Sequence, residues 1–583
     1  MKKKVIACVR SHLILTVALC ATVSLGPVSM RAAQSGSPSG QPQDGERELG
    51  LPHLRKVGAT TQLVVNGRPY LMLAGELHNS SASSSAYMQP IWAKLADDLH
   101  LNTVISTVSW ELIEPIEGKF DFTSVDNQIR SAQEHRLHLV LIWFGTWKNA
   151  SDSYVPMWVK KDRQRFQLAM VQGPGTFMGM RFSSLSSFGE NTIAADAKAF
   201  ATLMRHIREY DTRHTVIMMQ VENETGLLGD SRDRSTLAEA AWSKPVPSEL
   251  TNYLTEHKSS LLPEITAVWG AHGFKTSGRW AEVFGTDPAA DEVFMAWFIG
   301  RAVGRVAEAG KAELPIPMYV NDWLGPQPGQ KLPGQYPSGG PVAGVLDVWR
   351  AAAPKLDFFS PDIYVADFQG VCNLYVRSGN PLFIPEARTN IANLFWAVGH
   401  ELALGYSPFG IEDVVDFNPL ASAYATLGEL APMILKYGPE GKVIAVIEGN
   451  ELSVKHFQEM TGLAINFGGL QSLFSGGHKD QDAQKDLPPA PTGDMQSFTK
   501  PQPDKRGFAL VIQTAPDAFI IAGSNVLLAN SDRLLGTVDE GTFQKGEWLP
   551  GRRLNGDETF SGNVVVLGPE AIDIRRIVTY SPQ

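Results

Sequence analysis

Cysteine is nearly absent from this chain: three occur in 583 residues, and two of them, Cys8 and Cys20, lie among the first 33. With only Cys372 beyond them, the remaining chain forms no internal disulfide, and its stability must come from a packed core. Long apolar runs are also scarce. The one that stands out, residues 11–26 (SHLILTVALCATVSLG), falls short of the roughly 20 residues a bilayer span takes. Nothing like it recurs downstream, which argues against a transmembrane protein. Positive charge is in deficit, with 51 Lys and Arg against 61 Asp and Glu for a net charge of -10, so nucleic acid is a poor partner. No GxGxxG or GxxxxGK[ST] follows the first predicted strand, which removes the usual support for a nucleotide fold. No histidine pair has zinc-site spacing, so neither a metal nor another cofactor is implied.

What is present begins with a leader. Lys2, Lys3, Lys4 and Arg10 precede the apolar run, and small residues near Ala32 and Ala33 follow it. That layout predicts a signal peptide over residues 1–33 and a periplasmic or secreted protein. Residues 34–49 (QSGSPSGQPQDGEREL) read as a flexible tether. From 50 to 438, short β-branched or apolar runs alternate with segments of helical period, the signature of βα units. The strand candidates are Tyr70–Ala74, Thr103–Ser109, His138–Phe144, Thr215–Val221, Pro317–Val320, Leu356–Ser360, Leu382–Ile384 and Gly405–Phe409. Eight such units predict a (β/α)8 TIM barrel. Residues 439–583 are β-rich and predict a smaller all-β domain, with a long loop near 474–506 where Gly, Pro and polar residues dominate.

Two segments carry chemistry. In TVIMMQVENETG (215–226) an apolar strand breaks abruptly into Glu222, Asn223 and Glu224, and in PLFIPEARTN (381–390) another ends at Glu386, with Arg388 two places on. Counted along the barrel these are strands four and seven, and the C-terminal ends of barrel strands form one active-site face. Two acids on that face suit glycoside cleavage, where one carboxyl protonates the leaving oxygen and the other attacks the anomeric carbon. Strand alternation places Glu222 and Glu224 on the same side, so spacing alone does not choose between them. Arg388 is a candidate for holding the Glu386 carboxylate ionised.

These motifs resemble the large clan of retaining (β/α)8 glycosidases. LAGELHNSS (73–81), LNTVISTVSWELIEPIEGKFDF (101–122) and QVENETG (220–226) resemble glycoside hydrolase family 35, the β-galactosidases, in a bacterial branch with a small C-terminal β domain. The resemblance implies Glu224 as acid/base, Glu386 as nucleophile and Asn223 as a donor to the sugar 2-OH, with Glu222 a structural acid. After strand three the chain departs from the family pattern with IWFGTWKNAS (142–151), where Trp143, Trp147, Lys148 and Asn149 become candidate sugar contacts. Trp110, Tyr364 and Arg388 are further substrate-binding candidates. Glu76, His78, Glu111, Asn321, Trp323, Asp362 and Glu412 also fall at predicted strand ends. The expected function is an exported retaining exo-β-galactosidase that removes terminal β-linked galactose from oligosaccharides such as plant cell-wall (xyloglucan-type) side chains. The alternatives are a retaining β-glycosidase of another sugar specificity and a non-catalytic carbohydrate-binding barrel.

Overall fold

The computed structural model describes residues 50–582 apart from 173–175, 178–179, 182, 415–417, 469–503 and 545. The expected signal peptide, the tether and nearly all of the expected loop near 474–506 lie outside the described residues. Eight parallel strands form the centre: β1 (Met72–Glu76), β2 (Thr103–Ser109), β3 (His138–Lys148), β4 (Val216–Asn223), β5 (Met318–Asp322), β6 (Phe358–Pro361), β7 (Ile384–Ala387) and β8 (Gly405–Pro408). Their hydrogen-bonded order is β6-β5-β4-β3-β2-β1-β8-β7. A parallel bridge between Ile363 and Ala387, with Ile363 N donating to Glu386 O at 2.9 Å, joins β6 to β7 and completes the TIM barrel.

Each strand lies within a few residues of its expected place, and β1 starts two residues later than expected. The cause is upstream. Thr60–Val65 and Arg68–Tyr70 pair as a hairpin, with His53–Val57 on its other edge. Asn66 and Gly67 both adopt positive φ, 52° and 73°, the geometry of the tight hairpin turn that Asn-Gly favours. Tyr70 therefore belongs to this sheet and not to the barrel.

Alternation within the strands builds two apolar layers. Met72, Ala74, Ile105, Val140, Ile142, Phe144, Tyr319, Phe358, Phe383 and Leu404 point inward and plug the barrel. The alternate residues face a ring of helices, among them α1 (Thr123–Glu134), α2 (Glu190–Tyr210), α3 (Pro288–Glu313), α4 (Leu346–Ala352), α5 (Ile391–Gly399) and α6 (Asn418–Tyr437). Among the described residues no helix is long and apolar enough to cross a membrane.

Beyond the barrel the strands are antiparallel. β9 (Val443–Ile447), β11 (Phe508–Ala515), β12 (Ala518–Ser524), β17 (Asp573–Tyr580), β14 (Leu534–Gln544) and β15 (Glu547–Leu554) form one sheet in that order. A second sheet holds β10 (Leu463–Phe467), β13 (Val526–Asn530) and β16 (Val564–Leu567). Among the described residues the region departs from all-β in one α-helix, α7 (Glu451–Thr461), which Asn450 caps by accepting from Ser453 N, and in a short 3-10 turn at Gly556–Thr559. Period two divides β9 between two cores. Ile444 and Val446 face the second sheet and α7, whereas Val443, Ala445 and Ile447 join the barrel core. Phe395 of α5 packs on Phe508 at 4.7 Å between ring centres.

Gly399, the last residue of α5, marks a close approach between the barrel and the C-terminal sheet. A Cβ there would lie 2.3 Å from Leu510 Cδ1 and 2.9 Å from the Ala445 Cβ. Overfilling such a contact costs about 1–3 kcal/mol. Gly399→Leu is therefore expected to lower the calorimetric melting temperature of the whole chain, because the barrel and the C-terminal sheets share the core it disturbs.

Candidate active site

The site is built on the end of β4, a strand buried along its whole length. There the backbone leaves the extended region: Glu222 has φ 65° and Glu224 φ 43°, left-handed conformations that cost a non-glycine residue about 1–3 kcal/mol each. The end of β3 and the turn after it hold this segment. Trp147 N donates to Glu222 Oε2 (2.7 Å) and Lys148 Nζ to Asn223 Oδ1 (2.7 Å). Asn149 N donates to Asn223 O (3.2 Å) and Ala150 N to Glu224 O (3.0 Å). On the other side Asn321 Oδ1 accepts from Glu224 N at 2.9 Å. Gly226 completes the bend at φ 142°, where a Cβ would come within 2.4 Å of Pro337.

The left-handed residues overturn the expectation from alternation, because Glu222 and Glu224 do not share a side. Glu222 turns toward the end of β3 and Asp196 of α2. Burial first, and then the negative charge of Asp196, push its carboxyl well above the usual range. It is a structural acid. Glu224 turns to the barrel axis.

Two of the tryptophans expected at the sugar are corrected in the same way. Trp143 faces outward: its Nε1 donates to Asp196 Oδ1 (2.8 Å) and its ring packs on Phe200 of α2. Gly145 leaves room for that contact, since a Cβ there would meet Trp143 Nε1 at 2.4 Å. Trp110 is fully buried, donates to Glu114 Oε2 (2.9 Å) and packs edge-on against Trp158. Trp147, Lys148 and Asn149 reach the site as supports for Glu222 and Asn223, through the three contacts given above.

The acids meet at the centre. Glu224, Glu386 and Asp362 are all buried, and one carboxylate oxygen of each lies within 4.8 Å of the others. Glu386 accepts from Tyr364 OH (3.0 Å) on Oε2, and from Asn223 Nδ2 (3.3 Å) and Asn321 Nδ2 (3.5 Å) on Oε1. Three donors around one carboxylate suit a group that carries negative charge. The Glu224 carboxyl is pushed up to about 8, by burial first and by the charge of Glu386 next, while Lys148 pulls it back. Arg388 is buried on the same rim beside Tyr364, and burial lowers its guanidinium from the usual value.

Asn321, Asp362 and Glu76 carried no role in the sequence beyond their strand-end positions. Asn321 ties three groups together, since its amide also donates to Asp362 Oδ2 at 2.7 Å. Glu76, at the end of β1, has no exposed surface, and burial followed by the charge of Glu386 pushes its carboxyl well up. Glu224, Asp362 and Glu386 are the one grouping among the described residues whose spacing could hold a metal ion. The Lys148 ammonium and the amide donors of Asn223 and Asn321 suit carboxyl groups that share protons rather than a cation.

Residues 91–283 match the profile of glycoside hydrolase family 42, described as beta-galactosidase. Residues 420–565 match a domain of unknown function (DUF5597). The matched stretch of the barrel is thus similar to glycoside hydrolases, and the profile matched is family 42, not the family 35 that the sequence motifs resemble. A beta-galactosidase of Xanthomonas manihotis is 32% identical over 84 residues, which cover 14% of this chain and 14% of that protein. Two solved structures are similar at low identity. The beta-galactosidase of Bacillus circulans sp. alkalophilus has a TM-score of 0.42 at 17% identity, covering 63% of this chain and 57% of the other. That of Rahnella sp. R3 has a TM-score of 0.38 at 15% identity, covering 62% and 56%.

Lys148 supplies both a hydrogen bond to Asn223 and the positive charge that restrains Glu224. Lys148→Met is expected to cut kcat/KM for a scissile glycoside by about ten- to a hundred-fold, the worth of a hydrogen bond to a charged group. Because the charge removed is the one lowering Glu224, the alkaline limb of the pH profile should move upward.

Proposed function

We propose that this protein is an exported, retaining exo-β-galactosidase that cleaves terminal β-linked galactose from oligosaccharides. The observation that carries the reading is the approach of Glu224 and Glu386 within 4.8 Å in opposite electrostatic surroundings. Retaining glycosidases hold their carboxyl pair about 5 to 5.5 Å apart, closer than the spacing that admits a water between acid and base. Glu224 is the proton donor because burial and a neighbouring negative charge keep it protonated near neutral pH. Glu386 is the nucleophile because Tyr364, Asn223 and Asn321 all direct N–H or O–H groups at its oxygens.

In the first step a Glu386 oxygen bonds to the anomeric carbon while Glu224 transfers its proton to the departing glycosidic oxygen. In the second, Glu224, now ionised, takes a proton from water, whose oxygen attacks the anomeric carbon and releases Glu386. Asn223 lies between Lys148 and Glu386, a place from which its amide can serve the sugar 2-OH. Galactose as the sugar rests on the family description and on the motifs at 73–81 and 101–122. Export rests on the leader at residues 1–33. Plant cell-wall side chains of the xyloglucan type are the substrates such an exported enzyme would meet.

Glu224→Gln and Glu386→Gln are each expected to reduce hydrolysis of an aryl β-galactoside by ~10²–10⁴-fold or more, with the melting temperature little changed. The profile of kcat/KM should fall as pH rises through about 8, where Glu224 loses its proton. Near-normal turnover by either variant contradicts the assignment, and faster cleavage of another aryl β-glycoside contradicts the sugar.

A further inference from the structure

The mechanism just described uses two of three carboxyl groups. Asp362 is the third, buried just past the end of β6 and within 4.8 Å of both glutamates. Its two oxygens have different surroundings. Oδ2 accepts from Asn321 Nδ2 at 2.7 Å, and Asn321 is the residue that also receives the Glu224 backbone N–H. Oδ1 is buried and accepts from no N–H or O–H donor among the described residues, and the groups whose charges act on the carboxyl are other acids.

Three carboxylates so close cannot all ionise. Asp362 faces Glu224 from β4, Glu386 from β7, Glu76 from β1 and Asp322 from β5, and burial followed by these charges pushes its carboxyl well above the usual range. Glu224 is faced by Glu386, Asp322 and Asp362 and by Lys148 from β3. Hydrogen bonding from Asp362 lowers Glu224, against the trend set by its other acidic neighbours.

We propose that Asp362 stays protonated through the cycle as a positioning residue, its Oδ1–H donating to the Glu224 carboxylate whenever Glu224 has given up its proton. No proton of Asp362 is consumed. Its carboxyl holds Glu224 in place through Asn321 on one side and steadies the anion that forms after the first step on the other. The inference rests on Glu224 being the acid/base.

A neutral amide reproduces a neutral acid, so the test compares two variants on an aryl β-galactoside. Asp362→Asn keeps an acceptor for Asn321 and a donor for Glu224. It should keep kcat within a few-fold of the parent and leave the alkaline limb of kcat/KM in place. Asp362→Ala removes the donor. Its kcat should fall about ten- to a hundred-fold with KM nearly unchanged, the worth of a hydrogen bond to a charged group, and its alkaline limb should move upward. A downward shift of that limb in Asp362→Asn would mean that Asp362 is an anion in the working enzyme and would overturn the proposal. Equal losses in both variants with unshifted limbs would reduce Asp362 to packing and overturn it too. Normal kinetics in Asp362→Ala, with Glu224→Gln inactive, overturns this proposal alone, whereas a parent enzyme inert on every β-galactoside overturns the functional reading beneath it.

Discussion

The site depends on a seam between two neighbouring strands. The backbone N–H groups of Trp147, Asn149 and Ala150 and the ammonium of Lys148 close onto Glu222, Asn223 and Glu224. Without them two acidic residues would not remain in left-handed conformations. That backbone path gives the two glutamates different fates: one is turned outward against Asp196 as part of the scaffold, and the other is delivered to the barrel axis. The rigid elements around the seam, an inward apolar plug below and helices outside, leave it little freedom to relax.

Electrostatics then distributes the protons. Glu76, Glu224, Asp362 and Glu386 are buried together with a single lysine among the groups that act on them. Burial raises Glu76, Glu224 and Asp362, and like charges raise them further. The hydrogen-bond donors are not shared evenly. Tyr364, Asn223 and Asn321 concentrate on Glu386, which sets its surroundings apart from those of the other acids. The proposed acid and nucleophile, of the same residue type, are thereby set apart by surroundings alone.

Much of this was legible in the sequence. The alternation of short apolar runs with helical segments located all eight barrel strands, because a strand buried on both faces leaves a nearly continuous apolar run. The strand-end rule brought Glu224 and Glu386 to one face across a long separation in sequence. Local conformations that break regularity were harder to read. The Asn66-Gly67 turn was a visible hairpin signal, yet its strands are short and lie outside the βα rhythm. The direction of Trp143 follows from its parity in β3, and a register irregularity then intervenes before Lys148, so aromatic content alone gave it the wrong face. Left-handed φ at Glu222 and Glu224 has no signature in a run of ordinary polar residues. Asp362 was visible only as one of several strand-end acids, because what distinguishes it is proximity to residues far away in the chain.

The most direct measurement is covalent trapping. A 2-deoxy-2-fluoro-β-galactosyl fluoride slows both steps but leaves an activated leaving group, so a retaining enzyme accumulates its glycosyl intermediate. Mass spectrometry of the protein and its peptides should find one added 2-fluorogalactosyl group, on the peptide that contains Glu386, and no stable adduct on Glu386→Gln. Attachment to another carboxylate, or turnover of β-galactosides with inversion and no adduct, would contradict the account.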